Sequence, residues 1–198
     1  KGNLDIGAGV IVLTGDVDDT SILKFSGAGN QAVTGAILST TNDVGSKIII
    51  ANGANTVTFS SAIGASSGNG VESLVVEAGT RGNATFSSTV NANTVDIDAD
   101  AGASVMDFNG NVEGGTWNIE TGGGGDTVAT NFSGNVTLTA LNIDKETAEA
   151  TVTFDGSSAQ TIAGNITTTA NNDGVLVISN THNNGVTFGG SIGTSGGN

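Results

Sequence analysis

Cysteine is absent from this 198-residue chain, and with it go disulfides, catalytic thiols and thiolate metal sites, so thiol redox chemistry is excluded. Tyrosine and proline are absent too, and there is one tryptophan (Trp117), one histidine (His182) and one arginine (Arg81). Only 5 basic residues stand against 19 acidic ones, a formal charge of −14. Binding a phosphate backbone depends on clustered Lys and Arg that displace counterions, so nucleic acid and anionic membrane surfaces are disfavoured partners. Long apolar runs are missing as well. The longest strongly apolar stretch is Ile48-Ile49-Ile50-Ala51, far short of the roughly 20 residues a transmembrane helix needs. No charged-then-apolar signal segment stands at the N-terminus, so a soluble chain is expected, with any targeting signal outside it.

What is present is glycine and short aliphatic runs. There are 32 Gly, and hydrophobic residues make up 36%, enough for a core. The apolar set of Val, Ile, Ala and Phe is dispersed in short runs rather than in helix-length stripes, which predicts many short strands. The chain starts at Lys1 without Met and stops in Gly196-Gly197-Asn198, and it reads as a segment of a larger protein.

The seven Phe residues share one context, as in Val57-Thr58-Phe59-Ser60-Ser61, Thr130-Asn131-Phe132-Ser133-Gly134 and Val152-Thr153-Phe154-Asp155-Gly156. In five cases an aliphatic residue follows four positions later: Ile63, Val90, Val112, Val136 and Ile192. With period two, the apolar residue before, the Phe and that aliphatic fall on one strand face, an inward-facing triplet. Phe25, Phe59, Phe86, Phe108, Phe132, Phe154 and Phe188 are spaced by 34, 27, 22, 24, 22 and 34 residues, lengths that suit the coils of a solenoid.

A longer period lies over this one. Phe25 to Ile37 aligns without gaps on Phe154 to Ile166, and the match continues through Val57-Thr58-Phe59 against Val186-Thr187-Phe188. Residues 25–69 and 154–198 are thus related by 129 positions within a single segment, 1–198, of a protein that repeats this block.

The fold expected is all-β, a parallel β-helix of irregular 22–34-residue coils, with a β-sandwich or jelly roll as the alternative that short strands between Gly-Asn turns also permit. In the solenoid the Phe residues stack into an interior ladder. Gly110-Asn111, Gly134-Asn135 and Gly164-Asn165 supply the positive-φ corners. Residues 142–150 read as a charged loop, with one helical turn as the alternative.

Several residues are weighed as sites. Thr121-Gly122-Gly123-Gly124-Gly125-Asp126 resembles the calcium-binding nonapeptide of RTX proteins, in a single copy and with Thr121 in a place usually held by Gly. Asp16, Asp18 and Asp19 cluster in a turn and form the best calcium candidate, oxygen ligands suiting a hard cation. Asp96, Asp98 and Asp100 alternate along a strand and are spaced loosely like an EF-hand loop, but Ala101 stands where that loop needs Gly. They read as a solvated face. Calcium is thus the one cofactor raised, and none is required. His182 lies in a polar turn with no nucleophile motif, so no catalytic residue is assigned. Trp117, phased with Ile119, reads as core, although an exposed Trp can stack on a sugar. Asn83, Asn131, Asn135 and Asn165 head Asn-X-Ser/Thr triplets that carry no weight without a eukaryotic secretory context.

The phrase hydrophobic-Thr-Phe-x-Gly followed by Gln-[Val/Ile]-x-Gly-x-Ile, as in Phe154 to Ile166, resembles the strand repeats of large Gram-negative surface proteins. These are autotransporter passengers, rickettsial-type outer-membrane antigens and S-layer-like proteins. The resemblance implies export to the bacterial cell surface and a role as coat, filament or adhesin stalk, with copies of itself or adjacent repeats as partners. A glycan- or receptor-binding adhesin or phage-fibre segment is the alternative. A polysaccharide-degrading β-helix enzyme ranks last, because such a site uses Arg, Lys or Tyr and Tyr is absent.

Overall fold

The computed structural model describes residues 4, 7, 9–15, 18, 20–40, 44–65, 70–76, 80–170 and 173–193. Among them the chain forms short strands and no helix: β1 (Val10–Leu13), β2 (Ser21–Phe25), β3 (Gln31–Val33), β4 (Ala36–Ser39), β5 (Ser46–Ile50), β6 (Thr56–Phe59), β7 (Val71–Val76), β8 (Asn83–Phe86), β9 (Val90–Ala99), β10 (Ser104–Phe108), β11 (Val112–Thr121), β12 (Val128–Phe132), β13 (Val136–Lys145), β14 (Ala150–Phe154), β15 (Gln160–Thr168), β16 (Val175–Ile178) and β17 (Val186–Phe188). All the pairings between them are parallel, and each strand pairs with the next coil rather than with its neighbour in sequence. That is a β-solenoid, not a sandwich.

The interior has three sides. A seven-stranded sheet runs β16-β14-β12-β10-β8-β6-β3, and an eight-stranded one runs β17-β15-β13-β11-β9-β7-β5-β2. The long strands of the second turn a corner. Along β9, Val90 and Ala92 are buried, Asn93 and Thr94 are both exposed, and Val95, Ile97 and Ala99 are buried again. Two successive outward residues break the period-two alternation, so the strand contributes to two sides.

Each side carries a ladder of inward side chains in register. The first runs Leu4, Val33, Phe59, Phe86, Phe108, Phe132, Phe154, Ile178. The second runs Ile11, Ile37, Ile63, Val90, Val112, Val136, Ile162, Phe188. The third runs Leu23, Ile48, Leu74, Val95, Trp117, Leu141, Ile166, Ile192. Stacking like on like at about 4.8 Å satisfies the backbone of each interior coil from above and below and fills the core with side chains of matched size.

This divides the seven Phe residues. The five from Phe59 to Phe154 stack face to face, with centroids 4.6 to 5.7 Å apart. Phe25 instead pairs with Ile50 on the third side and meets Phe59 edge-on at 5.2 Å. Phe188 pairs with Ile162 on the second side and meets Phe154 edge-on at 5.8 Å. The expected strand triplet is also split. Phe86 ends β8 and Val90 begins β9 beyond a short turn, so the two point inward from adjoining sides.

Corners are built differently from the Gly-Asn expectation. Among those three pairs only Gly164 has a positive φ, 98°. At Gly110 the reason for glycine is contact between coils, since a Cβ there would lie 2.3 Å from the carbonyl carbon of Ser88. The asparagines link coils: Asn111 Oδ1 accepts from the Asn135 amide at 3.0 Å, and Asn135 Oδ1 from the Thr161 amide at 2.8 Å. Residues 142–145 belong to β13, and 146–148 form a bend rather than a helical turn.

Candidate functional site

Three places on the rod carry chemistry. The first is its acidic third side. Asp96 and Asp98 project outward from β9, and the parallel register sets Glu120 of β11 against Asp98, then Asp144 of β13 against Glu120. A row of three carboxylates in successive coils results, where like charges opposed across strands repel. Burial, then the neighbouring acids Asp100, Asp96 and Glu146, push the Asp98 carboxyl above its ordinary range. Burial, followed by Asp96, Asp98, Asp144 and Glu146, does the same at Glu120. Asp96 is raised by burial, and Lys47 pulls it back. The alternation Asp96, Asp98, Asp100 was legible in one strand. Glu120 and Asp144 join it only through the register, which no local pattern reports.

The Gly-rich run lies at the end of that side. Gly122 donates to the Ala99 carbonyl at 3.1 Å, Gly125 donates to Thr147 Oγ1 at 3.2 Å, and the buried Thr121 hydroxyl donates to the Ala148 carbonyl at 3.1 Å. A Cβ on Gly122 would fall 1.2 Å from Asp100 Oδ1. Glycine there makes room for the carboxylate of the coil below. Asp126 follows the turn, half-buried. Asp18 is exposed in a bend before β2, four rungs away along the eight-stranded sheet, so the two are not brought together. Asp16 and Asp19 lie outside the described residues. Among the described residues, no three or more His, Cys, Asp or Glu side chains converge as a metal-holding group.

The second place is a shallow pocket of about 240 Å³ on the outer face of the seven-stranded sheet, bordered by Arg81, Asn83, Thr85, Val105 and Asp107. Arg81 Nε is buried there with no hydrogen-bond partner. Asp107 Oδ1 accepts from Asn131 Nδ2 at 2.7 Å. Donor and acceptor thus face one small space. Trp117 takes no part in any surface: its side chain is 0% exposed, its Nε1 donates to the Ala92 carbonyl at 3.2 Å, and its ring packs on Phe108 and Phe132. His182 sits in a turn where its Nδ1 accepts from the Asn184 amide at 3.1 Å.

The third place is the pair of rod ends. Among the described residues, the interior rungs are buried and the outermost inward residues are less so. Leu4, Ile11 and Leu23 at one end, and Leu176, Val186 and Phe188 at the other, are only partly buried. Ile178 and Ile192, the last rungs of their ladders, are 49% and 55% exposed. Sequence periodicity could locate the ladders but not their last rungs.

The chain matches no family model, no curated protein and no solved structure. Among the described residues no helix is long and apolar enough to cross a membrane.

Proposed function

We propose that this chain is a non-catalytic structural module of a large extracellular surface-layer, filament or adhesin-stalk protein of a bacterial surface, assembling by strand stacking at its ends. The observation that carries this reading is the apolar rung left partly uncovered at both ends of the rod, with Ile178 and Ile192 outermost. Uncovered parallel strands offer unpaired N–H and C=O groups beside apolar side chains, a template for another coil. The likeness of Phe154 to Ile166 to the strand repeats of Gram-negative surface proteins supports the location.

Light scattering and electron microscopy of the purified chain test it. Wild type is expected to lengthen into rods as concentration rises, while a chain carrying Ile178→Lys and Ile192→Lys stays single, because charge on an edge blocks pairing. A wild-type chain that remains single throughout overturns the reading.

A second reading, a glycan-binding stalk, draws on the pocket beside Arg81. Its guanidinium can donate to a hydroxyl, Asp107 can accept from one, and Val105, 38% exposed, offers an apolar face. Titration with methyl glycosides, monitored at the Asn83 and Thr85 amides by NMR, tests it. An Arg81→Ala chain that responds as wild type does would remove it.

A further inference from the structure

The 129-residue repeat and the coil repeat are out of step by one side of the rod. Gln31-Ala32-Val33 pairs with Val57-Thr58-Phe59 on the first side, and the equivalent Gln160-Thr161-Ile162 pairs with Val186-Thr187-Phe188 on the second. Ile37 bridges Ile63 on the second side, and Ile166 bridges Ile192 on the third. Hydrogen bonds follow the same rule. Ile37 donates to the Ala62 carbonyl and Gly64 donates back to Ile37, while Ile166 donates to Ser191 and Gly193 donates back to Ile166. The partners differ by 129 in each case, yet every one has moved to the next side. One block therefore advances the rod by five coils and one side, as the ladder from Val33 to Phe154 and then Ile162 shows.

That offset identifies what fits the uncovered end. Within the chain, β5 and β6 are covered by β7 and β8, and Ile63 by Val90. Their equivalents near 175–178, 186–188 and 192 have no cover among the described residues. We infer that the partner of this end is a further copy of the residue 71–90 stretch, entering one side round from where it sits in this chain. The inference rests on the uncovered end described in the rod reading above and adds the identity and phase of what covers it. The opposite end of a second molecule, with its Leu4, Ile11 and Leu23 rungs, is the competing occupant. Residues 71–90 within a folded molecule are already covered on both sides by that molecule's own coils, so the matching cover is a further repeat of that stretch joined in register.

A consequence is that outward features spiral. The carboxylate row of Asp98, Glu120 and Asp144 would reappear on the adjoining side one block later, about 25 Å along the rod at about 4.8 Å per coil. Three blocks return it to its first side.

Two lengthened chains test the inference by hydrogen exchange. In one, residues 70–153 are repeated after Asn198, and in the other residues 1–84 are. The first is expected to slow exchange at the Val186, Thr187 and Phe188 amides roughly tenfold more than the second, as closing a fraying end does. Equal protection by the two extensions, more protection by residues 1–84, or none by either overturns it. The unextended chain's rods in the microscope are read separately. Their presence with unprotected extensions keeps the rod reading and rejects this occupant, and protected extensions without rods do the reverse.

Discussion

Phe86 and Phe108 stack with ring centroids 4.6 Å apart and planes 6° from parallel, in neighbouring coils joined by parallel strands. Phe108 also contacts Phe132 at 5.2 Å and Trp117 at 5.2 Å, so one ring joins two ladders. Truncating it leaves a cavity walled by rigid coils that cannot close over it. Phe108→Ala is expected to cost about 3–5 kcal/mol, the range for large core aromatics. Phe188 lies at the rod's end with one face uncovered, and Phe188→Ala is expected to cost about 1 kcal/mol, in keeping with partial burial. Urea unfolding followed by circular dichroism measures both. Equal costs would mean that the ends are as well packed as the middle.

The acidic side gives a pH dependence with a definite sign. Carboxyls at Asp98 and Glu120 are held above their ordinary range by burial first and then by neighbouring acids, Asp100, Asp96 and Glu146 at Asp98 and Asp96, Asp98, Asp144 and Glu146 at Glu120. The folded state therefore holds these protons more tightly than the unfolded chain does. Their contribution is fully present below the ordinary carboxylate values of about 4 and is lost as pH rises through the raised values. Glu120→Gln removes the middle charge of the row. It is expected to stabilise the rod at pH 7 by roughly 0.2–1 kcal/mol, the scale of an opposed like-charge pair at a partly solvated site. The gain should shrink as pH falls toward about 4, where the wild-type carboxyl is neutral. Thermal unfolding of both chains across that interval checks it, and a gain that does not vary with pH would contradict the electrostatic origin.

Trp117 supplies an optical test of the core. With its indole fully buried between Phe108 and Phe132, its fluorescence is expected to resist acrylamide until the rod unfolds. Trp117→Ala is expected to cost about 3–5 kcal/mol in stability. Any glycan binding at the Arg81 pocket should persist in that variant wherever it remains folded.

Much of this fold was legible because a solenoid writes its three-dimensional repeat into the chain. The Phe spacing gave coils, and Trp117 phased with Ile119 gave a core position that burial matches. The side to which each Phe belongs was not legible. Phe25 and Phe59 share a local context but sit on different sides, because the longer intervals at the two ends contain extra strands, as β3 and β4 do between β2 and β5. Glycine's role was also ambiguous in sequence: Gly110 reads as a turn residue, whereas the Ser88 backbone one coil below is what requires it. The row of Asp98, Glu120 and Asp144 is spread over three coils, and only the register gathers it.

Gln31 and Gln160 are equivalents in the 129-residue repeat, and their hydrogen bonding separates local design from stacking. Each Oε1 accepts from the glycine four residues earlier, Gly27 at 3.3 Å and Gly156 at 2.9 Å. Gln160 lies deeper in the stack, 2% exposed, and its Nε2 also donates to the carbonyls of Phe132 and Gly134 in the coil below, at 2.8 and 2.9 Å. Replacing it by Leu keeps the volume but takes the acceptor from the buried Gly156 amide and removes both bonds to the coil below, where the Phe132 carbonyl still accepts from the Asp155 amide. An unsatisfied buried group costs about 1–3 kcal/mol, so Gln160→Leu is expected to lose at least about 2 kcal/mol. Gln31→Leu, half-buried near the first rungs and with its Gly27 bond at the longer 3.3 Å, should lose less than Gln160→Leu. If the two substitutions cost the same, the glutamine serves its own turn alone and the coil-to-coil bonds add nothing measurable.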